Sequence, residues 1–247
     1  MRRLFNWQVM LGITLVALSA VFYFAHYLIF RDLHHIFIYL LGDIAFVFIE
    51  VLMVTMIIHQ LLTMREKKAL LKKLNMVIGA FFSEVGTPLI KDFCGFDKNP
   101  ESISKCLMLS NDWDEKTFSA GLRALKIHTC QLDLKKGDIE GLKKFLHEKR
   151  GFLLALLENP NLLEHESFTN LLWAVFHLAE ELGYRRDLRR LHEKDSEHLA
   201  GDIKRVYKLI VTEWLEYMKH LKRDYPYLFS LAMRTNPFNP DAKPEFG

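Results

Sequence analysis

The chain has 247 residues, half of them hydrophobic, and a formal net charge of only +3. That length allows one compact domain plus a membrane region, and so weak a basic balance gives no argument for nucleic acid as a partner, so none is expected. Within residues 1–63 the only charged side chains are Arg2, Arg3, Arg31, Asp32, Asp43 and Glu50, which cancel, so the excess charge belongs to the remainder.

In chain order, an apolar run extends from about residue 7 to 30 and a second from about 36 to 62. Each exceeds the roughly 20 residues a helix needs to cross about 30 Å of hydrocarbon. The "ALSA" at 17–20 resembles a signal-peptide cleavage site, but "VFYFAHYLIF" carries the apolar core past signal-peptide length. A two-helix transmembrane hairpin over 1–63 is therefore expected. Arg2 and Arg3 precede the first span, whereas Arg65, Lys67, Lys68, Lys72 and Lys73 follow the second. Positive flanks stay on the cytoplasmic side, which predicts a multi-pass protein with both termini cytoplasmic and a tight turn outside. Trp7, Tyr27 and Tyr39 fall near span ends, where amphipathic rings anchor.

Residues 64–95 read as an amphipathic connecting helix. Leu70, Leu74, Val77, Phe81 and Val85 recur at helix spacing, and Leu71, Ile78 and Phe82 widen that face beyond a two-stranded coil. The width favours packing against the rest of the chain over lying on a membrane surface. A break is expected at "VGTPL", around Gly86 and Pro88.

A helical cytoplasmic domain over 96–234 follows. Asn99 is the expected N-cap of a helix with Pro100 in its first turn, and Asp138 opens another that ends near "ENPN". "EHE" at 164–166 reads as an acidic helix start, followed by an amphipathic helix to Leu182 that Gly183 closes. A long helix is expected from Ser196 to Lys222, and Pro226 begins a short last one. The tail, 235–247, has three prolines and little to bury, so it is expected to be flexible or pinned on a surface. No strand pattern or fixed-period repeat is present, and the predicted class is all-α.

Cys94, Cys106 and Cys130 are odd in number with no C-x-x-C pair, the pattern of reduced, buried thiols. Phosphate-loop, dinucleotide, nucleophile-elbow and H-E-x-x-H motifs are absent, so neither a cofactor nor an enzyme is expected. "LHEKDSEHLAGD" contains His192, His198 and Asp202, residue types that bind metals, with His198 and Asp202 four apart. Their spacing matches no ligand pattern and the neighbouring "RRDLRRL" is densely charged, so a solvated mixed-charge face is expected and no metal site. His177 beside Glu180 and Glu181 reads the same way, as a packed histidine bonded to one neighbour.

"KKLNMVIGAFFSEVG" and "DYPYLFSLAMRTNPF" resemble stretches of bacterial inner-membrane proteins of unassigned function. The likeness covers short segments without a chemical motif. It implies a bacterial inner (plasma) membrane and no particular activity.

The clue to activity is "LLGDIAFVFIE", which places Asp43 and Glu50 seven residues apart in the second span. Seven residues turn a helix about 700°, so the acids share a face that continues through Val47, Val54, Ile57 and Leu61. They lie about 10 and 21 Å into the span. An intramembrane carboxylate costs at least about 2.5 kcal/mol and faces protein or water. Two arrangements meet that demand. In the first, Asp43 pairs with His26 of the first span and Glu50 bonds Ser19 or Thr14, so the acids glue the helices of a membrane-anchored helical scaffold or sensor. In the second, rings of Asp43 and Glu50 line an oligomeric cation channel or proton-handling pore, gated by Val54, Ile57 and Leu61. Continuing that face inward reaches Arg65, Lys68 and Lys72, a basic exit unsuited to cations unless the helix bends near Thr63. Both arrangements call for lipid and a homo-oligomer as partners, with a further cytoplasmic protein possible for the helical domain.

Overall fold

The structure, a computed structural model, describes residues 2–128, 130–160, 162 and 165–245. It divides into two compact units, residues 1–67 and 68–247. Among the described residues all regular structure is helical; the sole β-type pairing is an isolated bridge between Asp97 and Leu132.

The first unit holds α1, Arg2–Phe30, and the first part of α2, Leu33–Phe81. Arg31 and Asp32 alone connect them. Arg31 takes a left-handed φ of 47° and its N–H donates to the Tyr27 carbonyl at 2.8 Å, which ends α1. Asp32 then accepts from the His35 N–H at 3.2 Å, satisfying a free donor at the start of α2. The side chains along both helices are mostly apolar and exposed from Val9 to Leu62, apart from the half-buried Ala25, His26, Ile36 and Leu40. The side chains of Arg2 and Arg3, expected as the first basic flank, lie outside the described residues.

The second unit has its own core. It takes in the end of α2, then α3, Thr87–Phe96; α4, Pro100–Ser104; α5, Glu115–Ile127; α6, Ile139–Leu157; α7, Glu166–Tyr184; α8, Glu193–Asp224; and α9, Pro226–Arg234. α8 is the hub. Its buried residues, Leu199, Ile203, Val206, Tyr207, Ile210, Val211, Trp214, Leu215, Met218 and Leu221, recur every three or four positions. α3, α5, α7 and α9 pack on it, while α6 packs on α7. Asp114 and Asp138 cap α5 and α6, accepting from the N–H groups of Thr117 at 2.7 Å and Gly141 at 2.9 Å.

The expected break at Gly86 and Pro88 does not occur. Phe82–Gly86 form a π turn, with the Thr87 N–H reaching back five residues to the Phe82 carbonyl, and the helix goes on as α3. Pro88 has no N–H to donate and its ring would crowd the preceding turn of an α-helix; the wider turn relieves both. Gly86 is required for packing here, since a Cβ on it would come 2.4 Å from the Phe82 ring.

Three further expectations are corrected. Asn99 occupies the N-cap position of α4 without a side-chain bond; Asp97 accepts from the Asn99 N–H at 3.0 Å, forming the turn instead. Gly183 does not close α7, which runs through it to Tyr184, and among the described residues no glycine has a positive φ. Cys106 is exposed, whereas Cys130 is buried and Cys94 half-buried; all three are free. Within the tail, Asn236 and Phe238 are buried. The Asn236 side-chain amide donates to the Leu107 carbonyl at 2.9 Å, and Phe238 meets Trp214 edge-on at 5.1 Å. Of the "EHE" start, Glu164 lies outside the described residues; His165 caps α7 by accepting from the Phe168 N–H at 3.3 Å.

Candidate functional site

Two groups of polar side chains stand out, one in each unit. In the first, Ser19, Tyr23 and His26 of α1 and His35, Tyr39 and Asp43 of α2 line a groove of about 920 Å³ beside the turn. His26 and Asp43, expected to pair, thus line one groove, and Ser19, expected to bond Glu50, lines it with them. The anticipated His26–Asp43 ion pair is not formed: His26 Nδ1 is buried without a hydrogen-bond partner, and its ring packs on Phe30 at 4.8 Å.

Glu50 does not join them. It is exposed on α2 and has no hydrogen-bond or ion-pair partner among the described residues. Its expected bond to Thr14 is replaced by one within α1, where the Thr14 hydroxyl donates to the Met10 carbonyl at 2.8 Å, and Ser19 lies with Asp43 instead. Val54, Ile57 and Leu61 are exposed on α2, as are Arg65, Lys67, Lys68, Lys72 and Lys73. α2 passes through Thr63 uninterrupted, the Thr63 hydroxyl donating to the His59 carbonyl at 2.9 Å.

In the second unit, α7 and α8 each present a histidine and a carboxylate four residues apart: His177 with Glu181, and His198 with Asp202. Four residues bring two side chains onto the same helix face. The helices run antiparallel, and the two pairs interleave. His198 Nε2 lies 3.3 Å from Asp202 Oδ2 and 3.8 Å from Glu181 Oε2; His177 Nε2 lies 3.8 Å from Asp202 Oδ2 and 3.9 Å from Glu181 Oε1. Around them, Arg185 Nη1 donates to Glu181 Oε2 at 2.6 Å, and its Nη2 to Asp195 Oδ1 at 2.6 Å. The hydrogen bond from Arg185 holds the Glu181 carboxyl below the usual carboxylate range, and the same guanidinium lowers Asp195. Arg205 Nη1 lies 3.6 Å from the other Asp202 oxygen, Oδ1.

Of the sequence candidates for metal binding, His198 and Asp202 are in this cluster and His192 is not; it sits exposed at the N-cap of α8, and Asp195, three residues on, bonds Arg185. His177 is half-exposed at the helix edge rather than packed, and Glu180 turns away to Arg150 at 3.4 Å. The signal that joins the two pairs is their equal four-residue spacing on consecutive amphipathic helices.

Two long helices with exposed apolar side chains, followed by a helical unit with its own core, define an all-α protein with two candidate membrane spans. The chain belongs to the MJ1433 family: residues 70–234 match the family described as uncharacterized protein MJ1433, C-terminal helical domain, and residues 2–62 match its N-terminal helical domain. It is 47% identical over 234 residues to uncharacterized protein MJ1433 of Methanocaldococcus jannaschii, covering 95% of this chain and 94% of that one. No solved structure matches. The unassigned function implied by the earlier resemblance is shared by this family, while its bacterial inner-membrane side has no counterpart in these matches.

Proposed function

We propose that the chain is an integral protein of the plasma membrane that displays a helical cytoplasmic domain as a scaffold or sensor, and that it works as a homo-oligomer rather than as an enzyme. The observation that carries this reading is the exposure of the apolar side chains of α1 and of α2 as far as Leu62. α1 has 29 residues, about 43 Å at about 1.5 Å each, more than enough for about 30 Å of hydrocarbon. Lipid, or another copy, is the surrounding that such surfaces require. The basic run from Arg65 to Lys73 then lies on the cytoplasmic side, together with both termini.

The placement of Asp43 beside Ser19 and His26 favours structural acids over a pore lining. Glu50, without a partner among the described residues, supports self-association, because a carboxyl at that depth needs a donor or a neighbouring protein surface. The unbroken passage of α2 through Thr63 also keeps the basic residues on the face of the acids, which weighs against cation conduction.

Reconstitution tests the reading. Purified wild-type protein in liposomes is expected to carry no cation flux, and Glu50→Gln to shift the detergent-solubilised particle to fewer subunits. Cation flux by wild type that Asp43→Asn or Glu50→Gln alters would overturn the scaffold in favour of the pore.

A further inference from the structure

We propose that His177, Glu181, His198 and Asp202 form a binding site for a divalent first-row transition metal ion, which ties α7 to α8. The proposal stands on two independent observations. Glu181, His198 and Asp202 each offer one ligand atom, all within 4.8 Å of one another and drawn from two helices. Metal–ligand bonds of about 2.0–2.2 Å separate neighbouring ligand atoms by roughly 3–4 Å, so small rotations of these side chains seat an ion between them.

The second observation is Asp202 itself. Its side chain is only 5% exposed, and Oδ2, the oxygen aimed at the two imidazoles, is buried with no hydrogen-bond partner. Leaving a buried acceptor unsatisfied costs about 1–3 kcal/mol, more where it is charged. A cation at the focus of the cluster removes that cost. Arg205 approaches Oδ1 and leaves Oδ2 to the ion.

The surroundings suit the role. His177 Nε2 stands close enough to Asp202 Oδ2 and Glu181 Oε1 to complete a four-ligand set of two neutral imidazoles and two carboxylates, which balances a divalent charge. Arg185 orients Glu181 from behind, as outer-shell groups orient metal-binding carboxylates. Two imidazoles select a transition metal over Mg²⁺ or Ca²⁺, which prefer oxygen ligands. His177 and His198 are each about half exposed, at 47% and 57%, so an ion reaches the site from solvent without unfolding.

The test uses full-length protein in detergent, stripped with chelator and titrated with ZnCl₂ by calorimetry. One saturable Zn²⁺ per chain is expected, with a rise in Tm, and MgCl₂ gives neither. His177→Ala and His198→Ala, both at half-exposed positions, and Asp202→Asn, which keeps the side-chain shape, are each expected to weaken Zn²⁺ at least about tenfold, the scale of loss seen even for outer-shell groups. His192→Ala, outside the cluster, retains wild-type affinity. Absence of saturable Zn²⁺ binding, or undiminished affinity in the folded His198→Ala variant, overturns the proposal. Neither result depends on subunit number or ion flux, so this site and the membrane scaffold stand or fall separately.

Discussion

The rings of Phe81 and Phe168 meet edge-to-face, their centroids 5.2 Å apart and their planes at 86°. Phe81 closes α2 and Phe168 lies in the first turn of α7, both fully buried. The contact shows that the apolar face following the basic run is a core surface of the second unit. Removing the Phe168 ring leaves a cavity and forfeits the aromatic pair, a loss of about 3–5 kcal/mol. Phe168→Ala is thus expected to lower the denaturant midpoint sharply, with Phe168→Leu falling between it and wild type.

The π turn supplies a second prediction. A methyl group on Gly86 would lie 2.4 Å from the Phe82 ring and 3.1 Å from that of Phe81. Both rings are buried and have little room to move. Overpacking of this kind costs about 1–3 kcal/mol, so Gly86→Ala is expected to destabilise despite its better helix propensity. By contrast, Gly151→Ala on α6, where nothing lies within 4 Å, is expected to stabilise slightly. Thermal unfolding of the two variants side by side checks the contrast.

The cysteines should differ in reactivity. Burial, then the bond to the Asp97 carboxylate, pushes the Cys130 thiol up to about 12, and burial also raises Cys94. Thiolate is the reactive form, so both are expected to be inert at neutral pH, while exposed Cys106 is alkylated. Mass spectrometry after a brief pulse of iodoacetamide should find label on Cys106 alone; rapid labelling of Cys130 in folded protein would contradict this packing.

Glu213 predicts a pH dependence. It is buried on α8, and desolvation raises its pKa, only partly offset by the Ser167 hydroxyl and by His165. Below the ordinary value of 4.5, folded and unfolded chains both hold the proton. Above it the unfolded chain releases the proton while the folded one retains it, so stability falls as pH rises through the folded pKa. Glu213→Gln removes this loss. Its Tm should exceed that of wild type at about pH 8, with the difference shrinking towards about pH 4.

Much of the helical framework is legible in the residues because burial imposes a three-to-four spacing. Leu74, Ile78, Phe81, Phe82 and Val85 all belong to the core, and Asp138 caps the helix it was expected to open. The π turn is not legible in the same way. Pro88 forbids one hydrogen bond, but whether the chain bends or widens its turn is decided by Phe81, Phe82 and their distant partners. The His–carboxylate cluster is half legible. Each helix shows its own pair at a spacing of four, yet their interleaving depends on how α7 registers against α8. Asn99 illustrates the converse: a residue of capping type is displaced when Asp97, two positions earlier, reaches the backbone first.

The anchoring of Asn236 on Leu107 and of Phe238 on Trp214 has a consequence for biosynthesis. A nascent chain emerges from its N-terminus, so the apolar α1 and α2 leave the ribosome before any residue of α8. The side chain that covers Trp214 arrives only with Phe238, after α8 and α9 have been made. The core around Trp214 therefore remains open after α1 and α2 have been made. Synthesis of the apolar helices and closure around Trp214 are separated in time, with closure waiting on Phe238.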